Sequence, residues 1–232
     1  MPLSALRSAL TRAARLPDAW DRPAAQGLHA LRSWFAQLAG PGIDASDVLI
    51  TSGGQGALSA ASRALVPAGA PLLVESPTYP GVLAAARAAG IRPVPVPADE
   101  NGVIAGYLAE AFARSGARAF FCQPAYQNPT GAVLAAGRRQ EVLRAAAAAG
   151  AFVIEDDFGR WLSHGTPCPP PLLAGDNEGR VVCLTSLSKA VSPSLRVGAI
   201  IARGPVAHRL HALRAVDELF VAQCLRRPRS TW

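Results

Sequence analysis

Short apolar runs alternate with Ala-rich segments along most of this 232-residue chain, and this alternation constrains the fold more than any other feature. Strands separated by helices form mostly parallel sheets that are covered on both faces. The sequence therefore predicts an α/β fold, a three-layer α/β/α arrangement with a mostly parallel seven-stranded sheet. The predicted strands are 48–51, 71–75, 91–96, 117–122, 151–155, 180–185 and 197–202, and helices are predicted near 55–66, 80–89, 103–115 and 138–149.

The two ends of this pattern differ from its middle. Two further helices are predicted near 3–16 and 24–39, ahead of the first strand. The link 186–196 contains Pro193 and is too short for a crossover helix. The strand 197–202 is therefore expected to run antiparallel to its neighbour.

The charge distribution argues against several classes of protein. The formal net charge is +7, but the excess lies at the two ends, with five Arg against two Asp in residues 1–32 and three Arg in residues 226–232. A nucleic-acid surface needs a clustered basic stripe, which this distribution does not provide. No apolar run approaches the ~20 residues that span a bilayer, and no secretory signal is evident. An Arg-rich organellar transit peptide is the alternative to a plain amphipathic helix at the start of the chain.

Cysteine and histidine spacing gives no metal-binding pattern. Cys122, Cys168, Cys183 and Cys224 are far apart, without a C-x-x-C pair, and the four His residues form no H-E-x-x-H frame. We therefore expect no metal ligands in this chain and a reducing, cytoplasmic compartment.

The lysine content is the most informative feature of the composition. Of 23 basic residues, 22 are Arg, and Lys189 is the single lysine. An amine is a nucleophile when it is deprotonated and can condense with a carbonyl group, whereas the guanidinium of Arg stays protonated. Lys189 is therefore a candidate nucleophile, and a single lysine retained by chance is the alternative at this point.

The segments that follow the predicted strands indicate where a ligand binds, because ligands of open α/β sheets lie beyond the carboxyl ends of the strands. After strand 48–51 comes S-G-G-Q-G-A-L, a glycine-rich turn that opens a helix and suits a phosphate. After strand 71–75 comes S-P-T-Y-P-G, which places Tyr79 on a stiff turn. Each segment has a plainer alternative, since glycine-rich turns are often only tight turns and Tyr79 could simply pack.

The later strands are followed by more polar segments. The fourth predicted strand leads into Q-P-A-Y-Q-N-P-T-G, whose rigid turn fixes the side chain of Asn128. The fifth ends in E-D-D, where a carboxylate can neutralise a buried cationic ligand, unless these acids are merely solvated. The sixth leads into S-L-S-K, with Arg196 seven residues after Lys189. Hydroxyls, an amine and a guanidinium at one strand end suit a carbonyl compound that bears a phosphate.

Taken together, these groups match the needs of one cofactor. Pyridoxal 5′-phosphate (PLP) has a phosphate, a ring nitrogen that pairs with an acid and an aldehyde that condenses with a lysine. The ordered set S-G-G-Q-G-A-L, P-T-Y-P-G, Q-N-P-T-G, I-E-D-D and S-L-S-K-(x)6-R resembles the class I/II aminotransferases of the fold type I PLP superfamily. More narrowly, it is similar to the aminotransferase-like domains of MocR-type GntR-family regulators, over roughly residues 25–221.

The resemblance implies a role for each matching residue. Lys189 would form the internal aldimine with PLP and move the proton between Cα and C4′. Asp156, rather than Asp157, would pair with the pyridinium nitrogen. Asn128 would hydrogen-bond the 3′-oxygen, and Tyr79 would stack on the ring. The residues that would hold the phosphate are Gly54, Gln55, Ser186 and Arg196, with Ser188 as a further contributor.

The resemblance also implies an organisation and a function. Residues 1–40 would be an N-terminal helical segment, residues 41–221 an incomplete PLP-binding large domain, and residues 222–232 a tail unlike the family. The expected activity is amino-group transfer from an amino acid to a 2-oxo acid, in a homodimer. The alternatives are an effector-sensing domain of a MocR-type regulator, whose DNA-binding domain would not fit in residues 1–40, and an inactive truncated fragment.

Two departures from the family bear on activity. The family commonly has a Tyr two or three residues after the catalytic Asp, where this chain has Phe158 and Gly159. The family also continues into a small C-terminal domain with the Arg that clamps the substrate carboxylate, whereas this sequence ends at Trp232. Because transamination depends on accurate orientation of the substrate, we expect weak or no turnover from this chain by itself.

Overall fold

The computed structural model describes residues 3–17, 21, 24–163, 165 and 167–217. Cys224 and the predicted tail 222–232 lie outside the described residues. Over the described residues, eight strands form one sheet and seven α-helices pack on its two faces, which confirms the predicted three-layer α/β/α architecture. No helix in these ranges is both long and apolar enough to cross a bilayer.

The strands follow the predicted apolar runs closely. Their bounds are β1 Val48–Thr51, β2 Pro71–Ser76, β3 Arg92–Asp99, β4 Gly102–Val103, β5 Ala119–Cys122, β6 Phe152–Asp156, β7 Val181–Ser186 and β8 Gly198–Ile201. Their order in the sheet is β1-β8-β7-β6-β5-β2-β3-β4. The described sheet has one strand more than the seven predicted, because β4 is only two residues long and gives no hydrophobic pattern.

Strand direction decides which strand ends lie together. The five strands β3, β2, β5, β6 and β7 are parallel neighbours, and β8 is antiparallel to both β7 and β1. The antiparallel prediction for the last strand is therefore confirmed. Because β1 runs in the same direction as the parallel strands, the carboxyl ends of β1, β2, β5, β6 and β7 lie at one edge of the sheet.

The helices form two layers, one on each face of the sheet. Their bounds are α1 Leu3–Ala14, α2 His29–Ala39, α3 Gly54–Leu65, α4 Pro80–Ala88, α5 Ala105–Ser115, α6 Ala136–Ala148 and α7 Pro205–Asp217. Buried side chains of α2, α5 and α6 pack on one face, and those of α3, α4 and α7 pack on the other. Phe120 and Phe121 on β5 point to opposite layers, which is why this central strand is apolar at every position.

The second helix begins later than predicted. The sequence predicted a helix over 24–39, but α2 begins at His29. Gly27 has φ +96°, and a Cβ atom there would lie 2.5 Å from Cγ1 of Ile50. The N–H of Ile50 also donates to the carbonyl of Gln26 at 3.0 Å. The segment before α2 is therefore packed along β1 in a non-helical conformation.

Gly198 allows β8 to pack closely against the turn that follows β1. It pairs with Thr51 on β1 and with Ser186 on β7. A Cβ atom at Gly198 would lie 2.7 Å from the carbonyl carbon of Gly53, which is too close for any side chain. The glycine-rich turn can occupy this position only because residue 198 is a glycine.

We predict that Gly198→Ala destabilises the protein by about 1–3 kcal/mol, because the added methyl group overpacks the site. Urea denaturation followed by circular dichroism measures this change. Gly106→Ala is a matched control, because Gly106 lies on α5 with open space around it. It should leave stability unchanged or raise it by about 0.5–1 kcal/mol. Equal unfolding midpoints for the two variants would contradict the close packing of β8 on the turn.

Candidate functional site

The predicted site residues follow strands whose carboxyl ends share one edge of the sheet. Gly54 and Gln55 follow β1, Tyr79 follows β2 and Asn128 follows β5. Asp156 is the last residue of β6, Ser186 is the last residue of β7, and Ser188, Lys189 and Arg196 lie on the link to β8. Direct contacts connect several of these segments. The side chains of Asn128, Lys189 and Arg196 are exposed at this edge.

The glycine-rich turn lies between Arg196 and Ser186. Gly53 has φ +83°, and α3 begins at the next residue. Cβ atoms at Gly53 and Gly54 would lie 3.0 Å from the guanidinium carbon of Arg196 and 3.4 Å from Cβ of Ser186, respectively. Nη2 of Arg196 donates to the carbonyl oxygen of Ser52 at 2.8 Å. A cation and a hydroxyl thus adjoin the N–H groups that begin α3, an arrangement that suits an anion such as a phosphate.

The turn that bears Lys189 is fixed by hydrogen bonds on both sides. The N–H of Leu187 donates to the carbonyl of Val197 at 3.0 Å, and the N–H of Val191 donates to the carbonyl of Leu187 at 2.8 Å. Oγ of Ser186 accepts from the N–H of Ser188 at 3.0 Å. Oγ of Ser188 is buried without a hydrogen-bond partner among the described residues. The turn therefore presents an exposed amine and, beside it, a hydroxyl able to bind a further polar group.

Tyr79 is connected to the start of α3. Its Oη donates to Oε1 of Gln55 at 3.2 Å, and Nε2 of Gln55 donates to the carbonyl of Gly81 at 3.1 Å. A Cβ atom at Gly81 would lie 2.1 Å from the Tyr79 ring, so the ring lies directly against this glycine. The predicted aromatic residue and the predicted phosphate turn are therefore neighbours.

The two aspartates at the end of β6 have different partners. Oδ2 of Asp156 accepts from Nε2 of Gln123 at 2.8 Å. Burial raises the pKa of Asp156 to about 6, and hydrogen bonds from Gln123 and from the N–H of Phe158 oppose that rise. Asp157 instead forms an ion pair with Arg160, which follows it in the chain. Asp156 is thus the acid that contacts the loop after β5.

Glu155, the first acid of the E-D-D run, binds backbone N–H groups of a neighbouring loop. Glu155 is fully buried, and its carboxylate accepts from the N–H groups of Leu172 and Leu173 at 2.6 and 3.0 Å. Burial raises the pKa of Glu155 to about 7, despite these two hydrogen bonds. Glu155 therefore fastens the loop before β7 to the strand and does not face the same partners as Asp156.

Glu75 and Gln123 are buried residues at this edge that the sequence motifs did not identify. Oε2 of Glu75, on β2, accepts from the backbone N–H of Gln123 at 2.9 Å. Burial raises the pKa of Glu75 to about 7, and the nearby Asp156 adds to the rise. Glu75 lies near the end of an apolar strand and Gln123 directly follows one. A polar residue in such a position is the sequence signal that could have identified them. Their contacts depend on strand order, which the sequence pattern leaves open.

Gly159, one of the two positions at which a tyrosine was expected from the family resemblance, is enclosed by the loop after β5. A Cβ atom at Gly159 would lie 2.6 Å from the carbonyl oxygen of Ala125 and 3.2 Å from Cβ of Tyr126. A tyrosine at position 159 would therefore require this loop to move.

Helices cover this α/β sheet on both faces, and one edge of the sheet carries a glycine turn, a half-buried acid and the single lysine. These features define a class of cofactor-binding domain. The chain belongs to the aminotransferase class I and II family, whose model matches residues 3–221. This confirms the family resemblance stated from the sequence motifs. No cluster of three or more potential metal-ligating side chains occurs within the described ranges.

Curated relatives include both enzymes and regulators. The chain is 34% identical over 188 residues to 2-aminoadipate transaminase of Thermus thermophilus, covering 80% of this chain and 47% of the relative. It is 27% identical over 234 residues to the uncharacterized HTH-type transcriptional regulator YdfD of Bacillus subtilis, covering 100% of this chain and 48% of the relative. The chain thus spans about half the length of these two relatives.

Among solved structures, the chain is similar to LysN, the alpha-aminoadipate aminotransferase of Thermus thermophilus, complexed with N-(5′-phosphopyridoxyl)-L-leucine. The TM-score is 0.89 at 31% identity, and the match covers 97% of this chain and 59% of that chain.

Three buried acids predict a pH-dependent stability for the protein without a cofactor. Glu75, Glu155 and Asp156 have pKa values raised to about 7, 7 and 6, so the folded state binds more protons than the unfolded state between about pH 4 and pH 7. The free energy of unfolding should therefore fall as the pH rises through this window. Urea denaturation at pH 5 and pH 7.5 measures the slope.

Glu75→Gln should reduce the fall in the free energy of unfolding across this window by on the order of 1–3 kcal/mol, because one proton is worth about 1.4 kcal/mol per pH unit. Glu110→Gln, on the exposed face of α5, is the control and should keep the wild-type slope. An unchanged slope in Glu75→Gln would show that this carboxyl does not titrate in the window.

Proposed function

We propose that this chain binds PLP at the carboxyl edge of its sheet and takes part in amino-group transfer between an amino acid and a 2-oxo acid. The observation that supports this most is the convergence of three groups at one edge. They are the glycine turn beside Arg196 and Ser186, the acid Asp156, and the single lysine, Lys189. A phosphate, a ring nitrogen and an aldehyde require these three kinds of group.

The side chains at this edge fit such a cofactor. The missing side chains of Gly53 and Gly54 leave the N–H groups of α3 accessible next to a guanidinium. Ser188 provides a buried hydroxyl that has no partner among the described residues. Burial raises the pKa of Asp156, and a cationic ring nitrogen would favour the ionised carboxylate. The donor set therefore matches the charge of PLP at both of its ends.

Each residue would have a defined task in this reaction. When bound, PLP supplies an electron sink for the negative charge that develops at the substrate Cα. The amine of Lys189 would hold the cofactor's aldehyde end and then accept and return the Cα proton. Asp156 would keep a proton on the ring nitrogen, and Asn128 would hydrogen-bond the 3′-oxygen. Tyr79 would cover one face of the ring and limit the access of water.

The residues of the glycine turn would fix the other end of the molecule. The phosphate would be held by Gly54, Gln55, Ser186, Ser188 and Arg196, with Arg196 as the charged donor. LysN, the 31% identical neighbour, is complexed with a phosphopyridoxyl derivative of leucine, which supports both the cofactor and an amino-acid substrate.

A second candidate function is the sensing of an amine effector within a transcription regulator. The match of the whole chain to an HTH-type transcriptional regulator favours it. In that case PLP and the effector would change a conformation without turnover. Conversion of an amino acid to its 2-oxo acid by the PLP-loaded protein would distinguish an enzyme from a sensor. The homodimer, the cytoplasmic location and the 1–40, 41–221 and 222–232 division also stay predictions.

We predict that PLP followed by borohydride attaches a pyridoxyl group to Lys189. Because Lys189 is the single lysine, the N-terminal amine is the other site that can be labelled, and peptide mass spectrometry separates the two. Lys189→Arg should remove nearly all side-chain labelling while keeping the positive charge. A label on the N-terminal amine alone in the wild type would contradict the proposed function.

We also predict that Asp156→Asn weakens PLP binding by roughly tenfold or more, because the ring nitrogen loses a charged partner. Asp157→Asn should change PLP affinity much less. It should instead lower the melting temperature, because Arg160 would lose its ion-pair partner. Fluorescence titration with PLP and thermal denaturation separate the two effects. Equal losses of affinity would refute the choice of Asp156.

A further inference from the structure

Gln123 joins three elements at the edge of the sheet. It lies directly after β5 and is 2% exposed. Its Nε2 donates to Oδ2 of Asp156 at 2.8 Å, and its Oε1 accepts from the N–H of Asn128 at 3.0 Å. Its own backbone N–H donates to Oε2 of Glu75 at 2.9 Å. One buried residue therefore contacts both the acid and the loop that the proposed function assigns to the cofactor ring.

We propose that Gln123 is a positioning residue of the cofactor site, whose side-chain amide holds the Asp156 carboxylate toward the ring nitrogen and fastens it to the loop bearing Asn128. The inference rests on the proposed function. It adds a residue that lies outside the five sequence motifs shared with the family.

The hydrogen-bond network fixes the orientation of the Gln123 amide. An N–H group can only donate, so the partner of Asn128 N must be the amide oxygen. The amide NH₂ must then face Asp156. A flipped amide would place its oxygen against a carboxylate and its NH₂ against an N–H. Gln123 is therefore a donor to Asp156, and such a bond favours the ionised carboxylate.

Among the other groups around Asp156, the charge of Asp157 raises its pKa, whereas the N–H of Phe158 lowers it as Gln123 does. The titratable side chains near it are Glu75 on β2, Cys122 on β5, Asp157 directly after β6 and Cys183 on β7. All of these are neutral or negative. The cations that act on the adjacent Asp157 are Arg160, which is paired with it, and Arg139. Within the described part of the chain Asp156 forms no ion pair, so the Gln123 amide is the side-chain donor that offsets its burial.

Gln127 provides a matched control in the same loop. It is also buried, at 4% exposure, and it is also a glutamine. Its amide donates to the carbonyl of Pro77 at 2.7 Å and accepts from the N–H of Thr130 at 3.0 Å, with no hydrogen bond to Asp156. Gln127→Leu thus removes a buried amide that makes no hydrogen bond to Asp156, although this amide also hydrogen-bonds the neighbouring Glu75.

The experiment compares Gln123→Leu with Gln127→Leu in the full chain. PLP affinity is measured by fluorescence titration from pH 5.5 to pH 8.5, and the titration of Asp156 in the cofactor-free protein is followed by carboxyl ¹³C NMR. Gln123→Leu should raise the pKa of Asp156 and shift the pH midpoint of PLP binding upward. At pH 6.5 it should weaken PLP binding by about tenfold, since a hydrogen bond to a charged group is lost. Gln127→Leu should lower the melting temperature and move both midpoints much less, because it reaches Asp156 only through Glu75.

Two further variants separate positioning from packing. Gln123→Glu keeps the length of the side chain and an acceptor for Asn128, but it places a second carboxyl group against Asp156. It should raise the Asp156 midpoint at least as far as Gln123→Leu does. It also keeps the test open if Gln123→Leu does not fold. In an Asp156→Asn background, Gln123→Leu should cause little further loss of PLP affinity, because the interaction is already absent.

The outcomes distinguish this inference from the proposed function. Failure of PLP to label Lys189 in the wild type would overturn the proposed function and the inference with it. Labelling of Lys189 together with unchanged midpoints in Gln123→Leu would overturn the inference alone. Additive losses of affinity in the double variant would likewise show that Gln123 only packs.

Discussion

Burial of the central strands on both faces limits where polar side chains can lie in this protein. β5 and β7 have no exposed residue, so polar side chains within them would lose water on both sides. The polar groups of these strands and their neighbours therefore lie where the strands end. Glu75, Gln123, Asp156 and Ser186 all lie at that edge. The fold thus concentrates charge and hydrogen-bond donors along one line, beside the turn that opens α3.

Burial of several acids at this edge disfavours their ionised forms. Glu75, Glu155 and Asp156 all have pKa values raised by burial. Glu155 offsets this effect with two backbone N–H donors. Asp156 likewise accepts hydrogen bonds from Gln123 and from the N–H of Phe158, and a bound cation would favour its ionised form further. The protein therefore has an acid at the sheet edge whose ionised form a positively charged ligand favours, and the proposed cofactor site makes use of that property.

The sequence predicted most of the fold because buried parallel strands are continuous apolar runs, which single-sequence patterns detect well. It also predicted the antiparallel β8, since the link before it is too short for a crossover helix. The start of α2 was wrong because the packing of Gly27 against Ile50 is a tertiary contact. The helix α7 and the two-residue β4 were not predicted. Gln123 was missed as a site residue because its three partners come together only through strand order.

We propose that the carboxyl edge of the sheet binds PLP through Lys189, Asp156 and the glycine turn. A crystal structure of the PLP-loaded protein would show whether the cofactor binds there. We expect the phosphate at the start of α3, beside Arg196 and Ser186, and the ring nitrogen within hydrogen-bond distance of Asp156. We also expect continuous electron density from the cofactor to Nζ of Lys189. A cofactor bound elsewhere on the chain, or a phosphate with no contact to the glycine turn, would contradict this proposal.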